Sequence, residues 1–367
     1  MKRIKSGAAR LLSLLLALLL LLPLSACGGC GGASHPTVME YEGLRLTEDI
    51  YRYWLSCYRA QFSSLEKEHG TDRLHEIADI NIRKSLIAAA MFDRLGLQLD
   101  TLARNQINAA MEQLVSDAGG TREALNEMAA PYGIDYDGLK MAISHEQKAT
   151  ALLSYLFGKN GIYGITEEQK EAYYQENYRR VRVLTVLYVT YQLDDDGERI
   201  FDEKTQSYVY IRKSGAALDA QKAKADAVRA GVAYGLSDES FLALMKTYNE
   251  DTVKEDAYPN GYYFSADGDY RGYISEIPAA AVKLKDGEVT EVESEYGVHF
   301  IYAPGNDKGA YANEKNADFF ADFDDRIRMS FFEDYIEARL VAPAKKPKPA
   351  AAPIQRPCLY VPGMKVV

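Results

Sequence analysis

The sequence has little of what most catalytic and metal-binding proteins display. It holds one tryptophan, four cysteines and five histidines in 367 residues. Four cysteines are too few for a disulfide framework. Cys30 lies in a glycine-rich stretch, Cys57 in an apolar helical pattern and Cys358 near the end, so a Cys57–Cys358 bridge stays open. His35, His69, His75, His145 and His299 show no metal-ligand spacing. Zinc motifs, phosphate-cradling glycine loops and Gly-x-Ser-x-Gly elbows are missing too. The sequence therefore implies no metal and no cofactor. An excess of cations is also lacking. The net charge is −10. Setting aside the four basic residues before Cys27 and the five in the last 26 residues takes the remainder from −10 to −19. Nucleic acid needs clustered cations and is excluded as a partner.

One long apolar run is present, and only at the start. Lys2, Arg3, Lys5 and Arg10 precede a leucine-rich run from Leu11 to Leu22, followed by Leu24-Ser25-Ala26-Cys27. Charged, apolar and small-residue parts in that order make a secretory signal. The cysteine at its end resembles a bacterial lipoprotein signal, which implies residues 1–26 as signal peptide and Cys27 as the lipidated residue. An ordinary signal peptide or a single membrane anchor is the competing reading. A lipid chain anchors by burying methylenes and spans nothing. The remainder is expected outside the cytoplasm, attached to the bacterial cell membrane.

Residues 27–38 read as a flexible tether. From Thr47, a plausible N-cap, Tyr51, Leu55, Tyr58, Phe62 and Leu65 recur at helical steps. Further helices are expected near 72–95, 100–118, 121–130 and 136–157, punctuated by Gly96, Gly119-Gly120 and Pro131-Tyr132-Gly133. Thr166-Glu167-Glu168-Gln169 is a capping box that starts another helix. The character then changes. "VRVLTVLYVT", 181–190, reads as a strand with two apolar faces, and Thr185 is the one hydroxyl among the valines of its first face. A two-stranded excursion, two helices, an Asp/Asn/Pro/Gly loop at 249–261, a short helix near 274–283 and two strands, "EVTEVES" and "GVHFIYA", complete a β-α-α-β-α-β-β order. That order predicts a small α+β domain with a mainly antiparallel sheet. After Pro304, Phe320, Phe323, Ile327, Phe331 and Tyr335 form an apolar stripe, expected to pack on the N-terminal helices. The fold class is thus α+β: a helical domain from 39–179 and 305–341, an inserted domain at 180–304, and a disordered basic tail at 342–367.

Three stretches of the inserted domain, "VRVLTVLYVT", "LMKTYNED" (244–251) and "KDGEVTEVESEYGVHFIYA" (285–303), together resemble the parvulin family of peptidyl-prolyl isomerases. The helical flanks, beginning at "YEGLRLTEDIYRYWL", resemble those of PrsA- and SurA-type extracytoplasmic foldases. Parvulins set two histidines side by side on central strands, with a Cys or Asp close by and an apolar pocket for proline. The resemblance implies His299 as the second histidine, Asp251 at the Cys/Asp position and Phe264 as a pocket aromatic. It implies Tyr273 and Ile277 as further pocket residues. Thr185 stands where the first histidine is expected.

Prolyl isomerisation breaks no bond. Its barrier, roughly 18–20 kcal/mol, is lost amide resonance. A catalyst need only bind the twisted amide better than either planar form. The resemblance therefore implies a membrane-anchored foldase for secreted proteins that binds unfolded chains with Xaa-Pro segments and has at most weak isomerase activity. A non-enzymatic holdase or peptide-binding lipoprotein with a degenerate site is the alternative, and Thr185 is the residue that separates the two. The 27 tyrosines fit either a peptide-binding surface or plain composition.

Overall fold

The computed structural model describes residues 35–340 apart from 62–65, 68–69, 205–206, 234–235, 252–255, 267, 269 and 271. The expected signal peptide, Cys27 and the basic tail lie outside the described residues. Cys57 is disulfide-bonded, and the other three cysteines also lie outside them. The architecture is α+β, and the chain divides into two compact units: residues up to Gly164 together with those from Arg328, and Ile165–Ile327.

The first unit opens with a hairpin that the sequence pattern did not reveal, β1 (Thr37–Tyr41) and β2 (Leu44–Thr47). Its two-residue turn, Glu42-Gly43, has positive φ at both positions, which suits the right-handed twist of a tight hairpin. Helices α1 (Glu48–Gln61), α2 (Thr71–Arg94), α3 (Thr101–Asp117), α4 (Arg122–Ala129) and α5 (Tyr136–Phe157) follow. Asp100, Thr121 and Asp135 each accept a backbone N–H at a helix start, which fixes the turns between them. The core face of α1 differs from the expected one. Ile50, Tyr53, Trp54 and Cys57 are buried with Tyr58, while Tyr51 and Leu55 flank them half-buried. The hairpin residues Met39 and Leu46 join this core and rotate the buried stripe.

The second unit begins with the expected capping box. Thr166 and Gln169 exchange hydrogen bonds at the head of α6 (Glu167–Asn177). The elements that follow are β3 (Tyr178–Leu187), β4 (Val189–Tyr191), β5 (Phe201–Asp202), β6 (Ser207–Tyr208), β7 (Tyr210–Arg212), α7 (Gly215–Val232), α8 (Asp238–Tyr248), β8 (Tyr262–Ser265), α9 (Glu276–Ala281), β9 (Val289–Glu293) and β10 (Gly297–Tyr302). The main sheet is antiparallel in the order β8-β3-β10-β9. One face buries Leu184, Val186, Val298, Phe300 and Tyr302 against Ala225 and Val228 of α7 and Phe241 and Met245 of α8. The other buries Val181, Val183, Tyr262, Phe264 and Ile301 with Ile277 and Ala281 of α9.

Helix α10 (Phe323–Leu340) runs through the boundary between the units. The stripe expected on it is divided. Phe320 and Phe323 belong to the second unit, where Phe320 lies 5.0 Å from the Tyr178 ring and 5.7 Å from that of Tyr174. Phe331 and Tyr335 belong to the first, with Phe157 6.2 and 6.0 Å away. The second unit thus takes in α6 and the segment up to Ile327, a wider span than 180–304. Asp307 accepts hydrogen bonds from the Tyr174 and Tyr263 hydroxyls, and Asn306 bonds the backbone of Tyr178 and Arg180.

Phe241 is fully buried, with the Tyr302 ring 5.2 Å away. Phe241→Ala is expected to destabilise the second unit by about 3–5 kcal/mol, through lost transfer energy and a residual cavity. Urea unfolding followed by circular dichroism checks this, with a lowered midpoint and an unchanged slope.

Candidate functional site

The register of β3 against β10 sets the site. Thr185 pairs with His299 in the middle of the ladder, so both side chains leave the same face of the sheet. Thr185 Oγ1 lies 3.0 Å from His299 Nδ1. His299 Nε2 lies 2.8 Å from Ser294 Oγ, just beyond β9. The Tyr296 N–H donates to that Ser294 oxygen at 3.1 Å. A hydroxyl both donates and accepts, so Thr185 and Ser294 satisfy both nitrogens of the neutral ring in either tautomer. His299 is 0% exposed. Burial pushes its imidazole down to about 4, against a smaller opposing pull from the Glu276 carboxylate. At neutral pH the ring is uncharged, with a hydroxyl on each side.

The free edge of β3 beyond β8 is closed by the segment that follows α8. The Thr185 N–H donates to Asn249 Oδ1 at 2.9 Å, and the Glu250 N–H donates to the Thr185 carbonyl at 2.9 Å. The Leu187 N–H donates to Glu250 Oε2 at 2.7 Å. Glu250 also accepts from Lys224 Nζ at 2.6 Å and Gln221 Nε2 at 3.1 Å. Burial alone would raise its carboxyl, but Lys224, the Leu187 N–H and Gln221 outweigh that and hold it low. Asp251 follows directly, its backbone exchanging hydrogen bonds with the Asn249 side chain at 3.3 and 3.4 Å. The fold therefore brings the Asp251 segment to the strand that carries Thr185.

Phe264, Tyr273 and Ile277 also come together. Tyr273 meets Phe264 edge-on at 5.5 Å, and Ile277 joins the same cluster. Phe264 is itself enclosed, with Tyr262, Tyr270 and Phe319 around it, and presents no accessible surface in this conformation. The open space lies nearby at the sheet edge. A cavity of about 270 Å³ is lined by Val183, Tyr262, Leu242, Met245, Tyr258 and Pro259, with Arg182 and Asp256 also at its walls. Arg182 is held there by a two-pronged ion pair with Asp238 and by the Pro259 carbonyl at 3.2 Å.

Sequence reasoning missed Asn249, Glu250 and Ser294. For Ser294 a signal existed. His299 pairs with Val292, and strand alternation carries Ser294 to the same face. Asn249 and Glu250 act through strand-edge bonding, which no local pattern encodes. Among the described residues no cluster of three or more metal-ligating side chains occurs, and no helix is long and apolar enough to cross a membrane.

No protein-family model matches the chain, and no curated protein matches it. Solved structures do. The peptidylprolyl isomerase PrsA of Bacillus anthracis is similar at 15% identity over 70% of this chain and 94% of that one, with a TM-score of 0.25. PrsA of Bacillus subtilis is similar at 17% identity over 83% and 90%, with a TM-score of 0.23. The foldase protein PrsA of Lactococcus lactis is similar at 13% identity over 83% and 91%, again with a TM-score of 0.23.

Two outcomes follow from the geometry. The fold favours neutral His299, so its contribution is fully present above the unfolded-state value near 6.5 and is lost as pH falls towards about 4. The difference in unfolding free energy between the native chain and His299→Asn is expected to shrink by on the order of 2–3 kcal/mol between pH 7 and pH 4. Urea titrations at each pH measure it. A Cβ on Gly297 would lie 2.2 Å from the Val186 carbonyl oxygen. Gly297→Ala is expected to cost about 1–3 kcal/mol by forcing β10 off β3, and imidazole NMR shifts of His299 should move with it.

Proposed function

We propose that this protein is a lipid-anchored extracytoplasmic foldase that binds unfolded secreted polypeptides and isomerises Xaa-Pro bonds weakly. The observation that carries the reading is the Thr185–His299 cross-strand pair, with the Asp251 segment bonded to the same strand. Three sequence-distant stretches converge there in the arrangement that the parvulin resemblance implies. The basic, apolar and small-residue order ending in Cys27 supports the lipid anchor and the placement outside the cytoplasm.

The chemistry asked of the site is modest. Isomerisation needs an apolar seat for the proline ring and polar groups that favour the twisted amide. His299 and Thr185 are enclosed and hydrogen-bonded, so they set the floor of the site and hold β3 against β10. Asp251 follows the Asn249–Glu250 pair that bonds β3, and the parvulin reading assigns it to the bound amide. The accessible apolar seat is the neighbouring cavity at Val183, Leu242, Met245 and Tyr262, while Phe264 and Ile277 back the sheet from inside the core and Tyr273 is half-buried beside them. His299 and Thr185 are enclosed and already paired, so they offer little to a twisting amide, and this is the physical ground for weak activity.

The enclosure of His299 and Phe264 also favours a second reading, a holdase that binds chains without isomerising them. Cis/trans exchange of an Ala-Pro peptide, followed by NMR with region 39–341, separates the two. The foldase reading expects a rate above background that His299→Ala and Asp251→Ala each lower about tenfold. A rate equal to background leaves the holdase. Suppression of aggregation of an unfolded client then measures the binding role in both cases.

A further inference from the structure

Between β3 and α7 the chain leaves the main sheet and builds two small ladders, β4 with β7 and β5 with β6. Their backbones interlock. The Ile200 N–H donates to the Gln192 carbonyl, Gln192 to Val209 and Val209 to Ile200, while Lys213 ties the end back to Tyr188. An Asx-type turn, with Asp194 Oδ1 accepting from the Asp196 and Glu198 N–H groups, closes the loop between them. No helix covers this excursion among the described residues. Leu193 is 55% exposed, Phe201 47%, Tyr208 43%, Ile211 48% and Tyr210 37%.

These rings are not scattered. Tyr191 lies 4.8 Å from Tyr210 and 5.5 Å from Tyr208, and Phe201 lies 5.4 Å from Tyr208. Arg199 stacks over Tyr191 at 4.0 Å. A contiguous apolar patch with a polar rim marks an interaction surface. The patch is also continuous with the site. Tyr210 meets Tyr296 edge-on at 5.3 Å, and the Tyr296 N–H bonds the same Ser294 oxygen that holds His299 Nε2.

We propose that residues 189–204 and 207–212 form a docking surface for an extended segment of unfolded polypeptide, gripped by its apolar side chains beside the Thr185–His299 site. Tyrosine-rich surfaces accept varied side chains at low entropic cost, because each ring is rigid, apolar in body and polar at its tip. Asp194, Asp195, Asp196 and Glu198 lie in the turn between β4 and β5, and the whole stretch carries six acids against the bases Arg199, Lys204 and Arg212, a balance that complements lysine or arginine in the bound chain. The same acidity opposes a second copy of this chain as the occupant. The proposal rests on the foldase reading above and adds where a client is held outside the isomerisation site.

The test uses the full chain in detergent micelles. The probe is a fluorescein-labelled peptide alternating phenylalanine and lysine around a central Ala-Pro, with binding read by fluorescence anisotropy. Because Phe201 and Tyr208 are exposed, the F201S/Y208S double variant is expected to keep its thermal unfolding profile. Its affinity should fall about tenfold, equivalent to about 1.4 kcal/mol. The F201W/Y208W variant should bind as the native chain does. The exchange rate on a short Ala-Pro peptide, too small to reach the patch, should be the same in all three. Affinity within about twofold of native in the serine variant overturns the proposal. So does sedimentation showing that the serine changes only separate dimers into monomers. Absence of exchange on the short peptide in every chain removes the isomerase reading and leaves the binding result standing.

Discussion

Six consecutive cross-strand pairs join β3 to β10, from Arg182↔Tyr302 to Leu187↔Gly297, and the second unit is organised around them. A strand in this position has both faces buried and both edges occupied. Its polar groups then need partners, since an unpaired one costs more than a well-made bond returns. Each polar side chain in the buried middle of β3 meets that demand. Arg182 is forked onto Asp238, and the Thr185 hydroxyl lies on His299. The backbone meets it too. Where β8 ends, Asn249 and Glu250 take over the edge, one with a side-chain amide and the other with its N–H and carboxylate. The site is thus a by-product of satisfying a central strand. Its residues are placed by the ladder and held by the groups that close the ladder's edge.

Aromatic packing sets the limits of this unit. Tyr174 of α6, Tyr178 at the start of β3, Tyr263 of β8 and Phe319, Phe320 and Phe323 form one connected cluster of rings. Tyrosine suits such a place because its ring fills volume while its hydroxyl reaches a partner. Tyr174 and Tyr263 share Asp307, and Tyr270 bonds the backbone and side chain of Ser265. A short aliphatic core could not reach so far from the sheet. This is why the unit extends past its last strand to Ile327, and why the stripe near the end of the chain serves two cores.

Much of this was legible in the sequence, for identifiable reasons. The helix start at Thr166 was visible because capping chemistry is local. The order of elements along the second unit was visible because its hydrophobic periods change sharply at residue 181. The Thr185–His299 pair was legible only through the parvulin resemblance, since the residues are 114 positions apart. What stayed hidden depends on long-range packing. The β1–β2 hairpin is too short and polar to announce itself, yet it turns the buried face of α1 from Tyr51 and Leu55 towards Ile50 and Trp54. Asn249 and Glu250 read as the start of a polar loop. Phe264 looked like a pocket wall, but nothing in the local pattern could show that Tyr270, Tyr273 and Phe319 would converge on it.

A threonine in place of a second imidazole changes what the site can respond to. Two buried histidines in contact would titrate as a coupled pair, and gaining a proton would strain the hydrogen bonds between them. Thr185 has no proton to gain near neutral pH, and Ser294 on the other side has none either. With His299 depressed to about 4, the three-residue chain keeps one protonation state from mildly acidic to alkaline conditions. Such a chain stiffens the junction of β3, β9 and β10 without sensing pH. Any acceleration of prolyl exchange must then come from how the surrounding surfaces bind a twisted amide, because the buried chain offers no charge that develops with the twist. The surfaces that border the hydrogen-bonded floor are the Asp251 segment, bonded to the same strand, and the cavity at Val183.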